Sequence, residues 1–265
     1  MKLIKGEIIS NKKIGEDLFK MTVFSPYIIK NSIPGQFVNI KCSSGNTIDP
    51  LLRRPFSIHD LEPDFKVFSI LYVLKGMGTE YLSKLSAGDI LDFAGPLGNG
   101  IDTTEKENKN FLLIGGGIGI APLYFLAKKL VSEEKNVFFA AGFKNNNFLL
   151  FEKNLQVLKI SYEIYSEDGT HGKKGLVTDL LYERTDEFKN YEVICCGPVQ
   201  MYKVLQNIFA LKNIKAKAFF EEIMACGIGV CKGCVMKFKN GKDSYEYRTV
   251  CKDGPIFDLM EVIFD

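Results

Sequence analysis

The sequence predicts a multidomain β plus α/β protein: an N-terminal antiparallel barrel, a central doubly wound α/β domain and a small C-terminal lobe. Three observations carry this reading. The first hundred residues are short β-branched and aromatic runs separated by Gly, Pro, Asn and Asp. From residue 110, apolar strands alternate with amphipathic helices, the signature of parallel βαβ units. The last fifty residues break that alternation and hold four of the seven cysteines.

Taken in order, runs 18–24, 36–41, 67–73 and 90–94 read as strands of a closed antiparallel barrel or sandwich. The stretch 79–85 is helical and is stopped by Gly88-Asp89. The hydrophilic stretch 102–110 is the expected linker. Beyond it FLLIG is a fully apolar strand, APLYFLAKKLVSE a helix and NVFFAAG a strand. SYEIYSE is a further strand, LVTDLLYER a helix, YEVICCG a strand and VQMYKVLQNIFALK a helix. The expected domains are therefore 1–102, 110–214 and 215–265. The last is too small to bury much core and calls for a metal or disulfide staple.

Composition narrows the class. The chain has 265 residues, 46% hydrophobic and 25% charged, values of a globular protein. A net charge of +2 advertises neither a nucleic acid nor a membrane surface. Only His59 and His171 are present, which excludes a His-rich metal centre, and with no G-x-S-x-G motif nucleophilic-triad hydrolysis has little to work with. Seven cysteines, an odd number, without a secretory h-region argue for a reducing, cytoplasmic compartment. The uncharged run 111–127 approaches the length of a membrane span, but four glycines and Pro122 fit a strand, a turn and a helix start better.

Cys226, Cys231, Cys234 and Cys251 follow C-x4-C-x2-C-x16-C, and the first three have the plant-type ferredoxin spacing for a [2Fe–2S] cluster. Gly227, Gly229 and Gly233 would let amide groups approach the sulfurs. A structural zinc site more often pairs two CxxC knuckles, and only one is present. Cys42 and Cys195 read as small core hydrophobes. Cys196 heads Cys196-Gly197-Pro198 at a strand end, where α/β domains bind ligands. The loop GGGIGIAP, 115–122, follows a strand and opens a helix. Gly115, Gly116, Gly117 and Gly119 would let a pyrophosphate approach backbone N–H groups, or serve turn geometry alone. In the barrel half, Arg53-Arg54-Pro55-Phe56-Ser57-Ile58 combines a guanidinium suited to a diphosphate with a ring suited to stacking. Gly76-Met77-Gly78-Thr79 is a second candidate phosphate turn.

The order R-P-F-S, G-x-G-T, GGGIGIAP, CGPVQM and the cysteine cluster resembles the ferredoxin-reductase-like flavoproteins. More narrowly, it is similar to the electron-transfer subunits of two-subunit, NAD-dependent dihydroorotate dehydrogenases, with MACGIGVCKGC and VCKDGPIF the most specific portion. The resemblance implies FAD held by Arg54, Pro55, Phe56, Ser57, Leu71, Tyr72, Val73, Gly78 and Thr79. It implies NAD at Gly115, Gly116, Gly117, Gly119, Cys196, Gly197 and Pro198, with Cys196 beside the nicotinamide, and a [2Fe–2S] cluster on Cys226, Cys231, Cys234 and Cys251. It also implies an FMN-containing catalytic partner in a heterotetramer, and electrons passing from that FMN through the cluster and FAD to NAD⁺ in pyrimidine biosynthesis. Two other readings are a stand-alone or bifurcating NAD(P)H:ferredoxin-type oxidoreductase subunit and a non-catalytic iron–sulfur redox sensor. Some bifurcating relatives carry Asp in place of the first cluster cysteine, where this chain has Cys226. Acidic Glu167 and Asp168 at the end of the third α/β-type strand favour NAD over NADP by repelling a 2′-phosphate. The apolar tail 255–263 is expected to pack as core.

Overall fold

The computed structural model describes residues 1–44, 49–104, 109–145, 149–241 and 244–264. By internal contacts the chain gathers into two compact units. One comprises Met1–Ile101, Glu221–Met236 and Arg248–Pro255; the other comprises Asp102–Phe220, Lys237–Tyr247 and Ile256–Asp265.

The first unit is built on seven antiparallel strands: β1 (Lys2–Lys13), β2 (Leu18–Phe24), β3 (Phe37–Ile40), β4 (Arg54–Ser57), β5 (Asp60–Glu62), β6 (Val67–Val73) and β7 (Ile90–Leu97). Their order is β4-β3-β7-β1-β2-β6-β5. The long β1 pairs with both β2 and β7, and alternation sends Ile8, Met21, Val23, Ile70, Leu91 and Phe93 inward. β4 and β5 are successive stretches of one run, the first pairing with β3 and the second with β6, and His59 N donates to Ser69 O, so this run brings the two ends of the half-barrel together. Helix α1 (Pro26–Asn31) opens on Pro26 after the Ser25 cap, whose Oγ accepts the Ile28 amide. Helix α2 (Met77–Ser83) begins two residues before the predicted start. The Thr79 hydroxyl accepts the amides of Lys75 and Gly76, which makes Thr79 the third helical residue rather than the first.

The second unit carries β8 (Asn110–Gly116), α3 (Ile120–Ser132), β9 (Asn136–Phe143), α4 (Leu149–Leu158), β10 (Ser161–Ser166), β11 (Lys173–Lys174), α5 (Asp179–Arg184), β12 (Glu192–Cys196), α6 (Val199–Lys212) and β13 (Ala216–Phe219). Four further strands follow: β14 (Val235–Lys239) and β15 (Tyr245–Thr249), each shared between the two units, then β16 (Ile256–Asp258) and β17 (Val262–Ile263) in the second. The main sheet runs β11-β10-β9-β8-β12-β13-β16, parallel except for β16, and β15-β14-β17 form a small sheet. The sense of winding reverses between β8 and β12, the position at which open α/β sheets leave a crevice at their carboxyl ends.

The uncharged run 111–127 resolves into β8, a glycine turn and α3, and among the described residues no helix is long and apolar enough to cross a membrane. The expected linker 102–110 includes 105–108, which lie outside the described residues. Phe257, Leu259 and Val262 are buried, in line with the expected packing of the tail. Cys42 and Cys195 are fully buried, as expected of core fillers.

Candidate functional site

Within the first unit, residues 226–234 form an irregular loop that presents backbone amides to its own sulfurs. Gly227 and Gly229 adopt left-handed φ values of 69° and 80°, which L side chains rarely take, and so turn the chain tightly enough to face inward. The amides of Ile228 and Cys231 donate to Cys226 Sγ at 3.4 Å each, and that of Gly233 to Cys231 Sγ at 3.5 Å. Gly229 N donates to Cys251 Sγ at 3.0 Å, and Cys251 N to Cys234 Sγ at 3.5 Å. Burial opposes ionisation of Cys226, but the amides of Cys231 and Ile228 outweigh it and bring the thiol down to about 6. Cys251 moves the other way, to about 12, through burial and the facing Cys234.

These contacts sort the thiols into two pairs, Cys226 with Cys231 and Cys234 with Cys251. Among the described residues no three His, Cys, Asp or Glu side chains converge as one metal ion would require. Two cysteine pairs surrounded by amide donors fit a binuclear iron–sulfur cluster, in which each iron takes two protein sulfurs, better than a single tetrahedral zinc. The arm bearing Cys251 is tied to the barrel by Asn99, whose backbone N–H donates to Gly254 O at 2.7 Å. Its side-chain amide donates to the carbonyls of Lys252 (2.8 Å) and Asp253 (3.2 Å).

On the half-barrel, β4 is an edge strand, so Arg54, Pro55, Phe56 and Ser57 are all half-exposed. The two arginines part company. Arg53 is committed to Asp92 at 2.8 Å and to its carbonyl at 3.1 Å. Among the described residues the Arg54 guanidinium bonds only to the carbonyls of Leu52 (2.7 Å) and Arg53 (3.4 Å), leaving its charge available to an anion. Gly78 packs against this arginine: a Cβ there would meet Arg54 Cγ at 3.4 Å and Cys42 Cβ at 3.3 Å. The Arg54 stem thus lies against the Gly78 backbone, one residue before the Thr79 turn, and a guanidinium is a group suited to a diphosphate. The Phe56 ring lies edge-on to Tyr72 at 6.0 Å, and Tyr72 stacks on Phe19 at 5.3 Å. Tyr72 and Leu71 are buried and Val73 is half-buried. Burial raises the Tyr72 hydroxyl to about 12, against the pull of its hydrogen bond to Asn11 Oδ1 at 2.9 Å.

In the second unit the glycine loop after β8 and the Cys196-Gly197-Pro198 turn after β12 meet at the winding reversal. A Cβ on Gly119 would lie 2.2 Å from Cys196 O, and one on Gly116 would lie 2.9 Å from Met201 Sδ. These glycines permit the two turns to pack. Gly115 is likewise crowded, by Ile120. Gly117 differs: its φ is 55° and open space lies where a side chain would stand, so it is the point at which a ligand can reach the backbone. Pro122 sits in the first turn of α3, where an amide has no helical acceptor to lose. Asp168 is exposed, and bonds from the Thr170 amide and hydroxyl hold its carboxyl below the usual range. Its neighbour Ser166 is buried and bonded to the His171 backbone.

Three residues that pattern reasoning passed over organise these sites. Asn11 joins the Tyr72 hydroxyl to the carbonyls of Leu82 and Leu85 at the end of α2. Tyr202 accepts the Gly197 amide at 2.9 Å and donates to Phe219 O, fixing the Cys196-Gly197-Pro198 turn. Asn39 interrupts the apolar strand FVNI, the one signal that could have drawn notice to it.

Family models match two regions: residues 221–263 as the iron–sulfur cluster binding domain of dihydroorotate dehydrogenase B, and 113–207 as an oxidoreductase NAD-binding domain. The "dihydroorotate dehydrogenase B (NAD(+)), electron transfer subunit" of Caldanaerobacter subterraneus subsp. tengcongensis is 40% identical over 263 residues, 98% of each chain. That of Bacillus mycoides is 37% identical over 257 residues, covering 97% of this chain and 96% of the relative. Among solved structures, an NADH-dependent reduced ferredoxin-NADP oxidoreductase studied for flavin-based electron bifurcation aligns with TM-score 0.83 and 31% identity, over 97% of this chain and 89% of that one. A ferredoxin-NADP⁺ reductase from Plasmodium falciparum, at 16% identity and TM-score 0.66 over 82% of this chain and 96% of that one, shares the fold. With near-complete coverage at that identity and the cluster-binding model matched over its four cysteines, the chain belongs to the family of dihydroorotate dehydrogenase B electron transfer subunits.

Proposed function

We propose that this chain is the electron-relay subunit of an NAD-dependent dihydroorotate dehydrogenase, working in the cytoplasm on an FMN-containing catalytic partner in a heterotetramer. Its resident groups are FAD on the half-barrel and a [2Fe–2S] cluster on the cysteine loop, with NAD the exchangeable ligand of the α/β domain. The functional division follows 1–102, 110–214 and 215–265. The observation that carries the reading is the pairing of four cysteines under five amide donors, on the unit that also bears Arg54 and Gly78.

When bound, the flavin supplies exchange between the two-electron chemistry of NAD and the one-electron chemistry of the cluster. The chain's own residues bind and orient. Arg54 neutralises the FAD diphosphate while Gly78 and Thr79 shape the turn around it, and Pro55 keeps the edge of β4 free of a competing amide. Phe56 offers a ring face to the flavin, Ser57 a hydroxyl at its edge, and Leu71, Tyr72 and Val73 form the strand behind it. Cys226, Cys231, Cys234 and Cys251 ligate the irons, and the amides that bond their sulfurs stabilise negative charge there. Gly117 receives the NAD phosphates, with Gly115, Gly116 and Gly119 holding the loop against Cys196, Gly197 and Pro198 beside the nicotinamide. Asp168, held ionised at its turn, repels a 2′-phosphate and selects NAD. Exposed apolar side chains flanking the cysteines, Ile223 at 81% and Val230 at 75%, supply a surface for the partner.

Cys231→Ala tests the division of labour. In the purified complex, dihydroorotate:NAD⁺ activity should vanish while dihydroorotate oxidation by an artificial acceptor persists; loss of both overturns it. The similarity to the bifurcating oxidoreductase supports a second reading as a ferredoxin-linked subunit. Robust ferredoxin reduction by the natively purified protein, without dihydroorotate activity, would decide for that reading.

A further inference from the structure

We propose that the side-chain amide of Asn39 is a hydrogen-bond donor from the barrel wall to a cluster or cysteine sulfur at the Cys226 end of the cysteine loop. It would act as a positioning residue that raises the cluster's reduction potential. The inference rests on the reading that this loop holds a [2Fe–2S] cluster.

Asn39 stands in the middle of β3, opposite Pro55 on β4 and Ala94 on β7. Neither side chain beside it offers a hydrogen-bonding group. It is 1% exposed, and among the described residues neither Nδ2 nor Oδ1 has a partner. The amides of Asn11 and Asn99, on the same unit, are each given to two carbonyls. A buried carboxamide left unbonded is destabilising, and an apolar residue in a four-residue strand of Phe, Val and Ile would remove that cost. What the amide faces accounts for its presence. A Cβ on Gly227 would lie 3.0 Å from Asn39 Nδ2 but 3.7 Å from its Cγ, so the nitrogen end leads toward the loop. Gly227 is the residue after Cys226, and its missing side chain is what lets the amide approach. On the other side, Cys226 Sγ already accepts the amides of Ile228 and Cys231. Thiolate and sulfide sulfurs are negatively charged acceptors, and the charge grows on reduction, so a further donor favours the reduced state.

The test uses the full chain, loaded with its cluster, in an EPR-monitored redox titration. Asn39→Leu keeps the volume and removes the donor; Asn39→Ser restores a shorter one. The expected result is a bound cluster in Asn39→Leu whose equilibrium with a one-electron mediator shifts about tenfold against reduction, ~59 mV, with partial recovery in Asn39→Ser. In wild-type protein labelled with 15N only in asparagine side chains, the dithionite-reduced sample should show a nitrogen hyperfine coupling. That measurement decides the matter if the variants do not fold. An unchanged potential and g-tensor in Asn39→Leu, or no nitrogen coupling in the labelled wild type, overturns the proposal while leaving the cluster reading intact. An iron-free, EPR-silent wild type after reconstitution overturns the cluster reading and this proposal with it.

Discussion

At the scale of single residues, the glycines of the nucleotide loop divide by what a methyl group would meet. Gly119→Ala would drive a Cβ into the Cys196 carbonyl, a backbone atom that cannot swing aside. The expected cost is about 1–3 kcal/mol, the usual range for overpacking, seen as a lower melting midpoint. Gly117→Ala meets open space and pays only for its left-handed φ, about 1–2 kcal/mol. Its larger effect should be a raised KM for NADH. If Gly117→Ala leaves KM unchanged, the nucleotide does not approach the backbone there. The sequence marked all four glycines alike, because a motif records where glycine stands and not which neighbour demands it. The resemblance assigned the diphosphate to Arg54 and not Arg53, and the physical reason is visible only in the fold, where Asp92, thirty-nine residues from Arg53, claims that guanidinium.

At the scale of elements, one carboxylate ties β10 to β11 and to α5 beyond the backbone pairing of the sheet. Glu163 on β10 meets Lys173 of β11 at 3.0 Å, Arg184 at the end of α5, and the Tyr165 hydroxyl at 2.8 Å. Burial would raise this carboxyl, but the bonds from Lys173 and Tyr165 and the Arg184 charge prevail and hold it below its ordinary range. A folded-state value below the unfolded one stabilises the fold above the ordinary carboxylate range, and that stability is lost as pH falls through the depressed value. Glu163→Gln should therefore lower stability by about 1 kcal/mol at neutral pH, the upper end for a partly exposed pair. The gap between mutant and wild-type melting curves should close as pH drops below about 4. A gap that persists at acid pH would assign the effect to shape instead of charge. Strands and helices of this sheet were legible because their periodicity is local. The β16 edge strand was not, since three residues after Pro255 become a strand only by lying beside β13.

At the scale of the molecule, the cysteine loop is bordered by apolar side chains that the chain itself leaves uncovered. Val230→Glu should weaken co-purification with the dihydroorotate-oxidising subunit by tenfold or more, without changing the visible spectrum of the isolated chain. Retained association would move the partner surface elsewhere. The architecture in sequence order was readable, because barrel, α/β and cluster segments differ in composition. How the tail is apportioned was not readable, because it depends on contacts across more than a hundred residues, such as those of Asn99 with Lys252 and Asp253. The backbone passes from one compact unit to the other at 101/102, 220/221, 236/237, 247/248 and 255/256. Five covalent crossings have a consequence for inheritance and engineering alike: neither unit is encoded by a continuous stretch of gene. A protease nick at any single crossing leaves the halves linked through the remaining four. A fragment ending at residue 101 lacks two of the three segments of its unit and should be recovered as insoluble protein. Grafting a new flavin unit onto this nucleotide unit would require splicing at five points, so the electron-carrying half and the NAD-binding half are constrained to evolve as one reading frame.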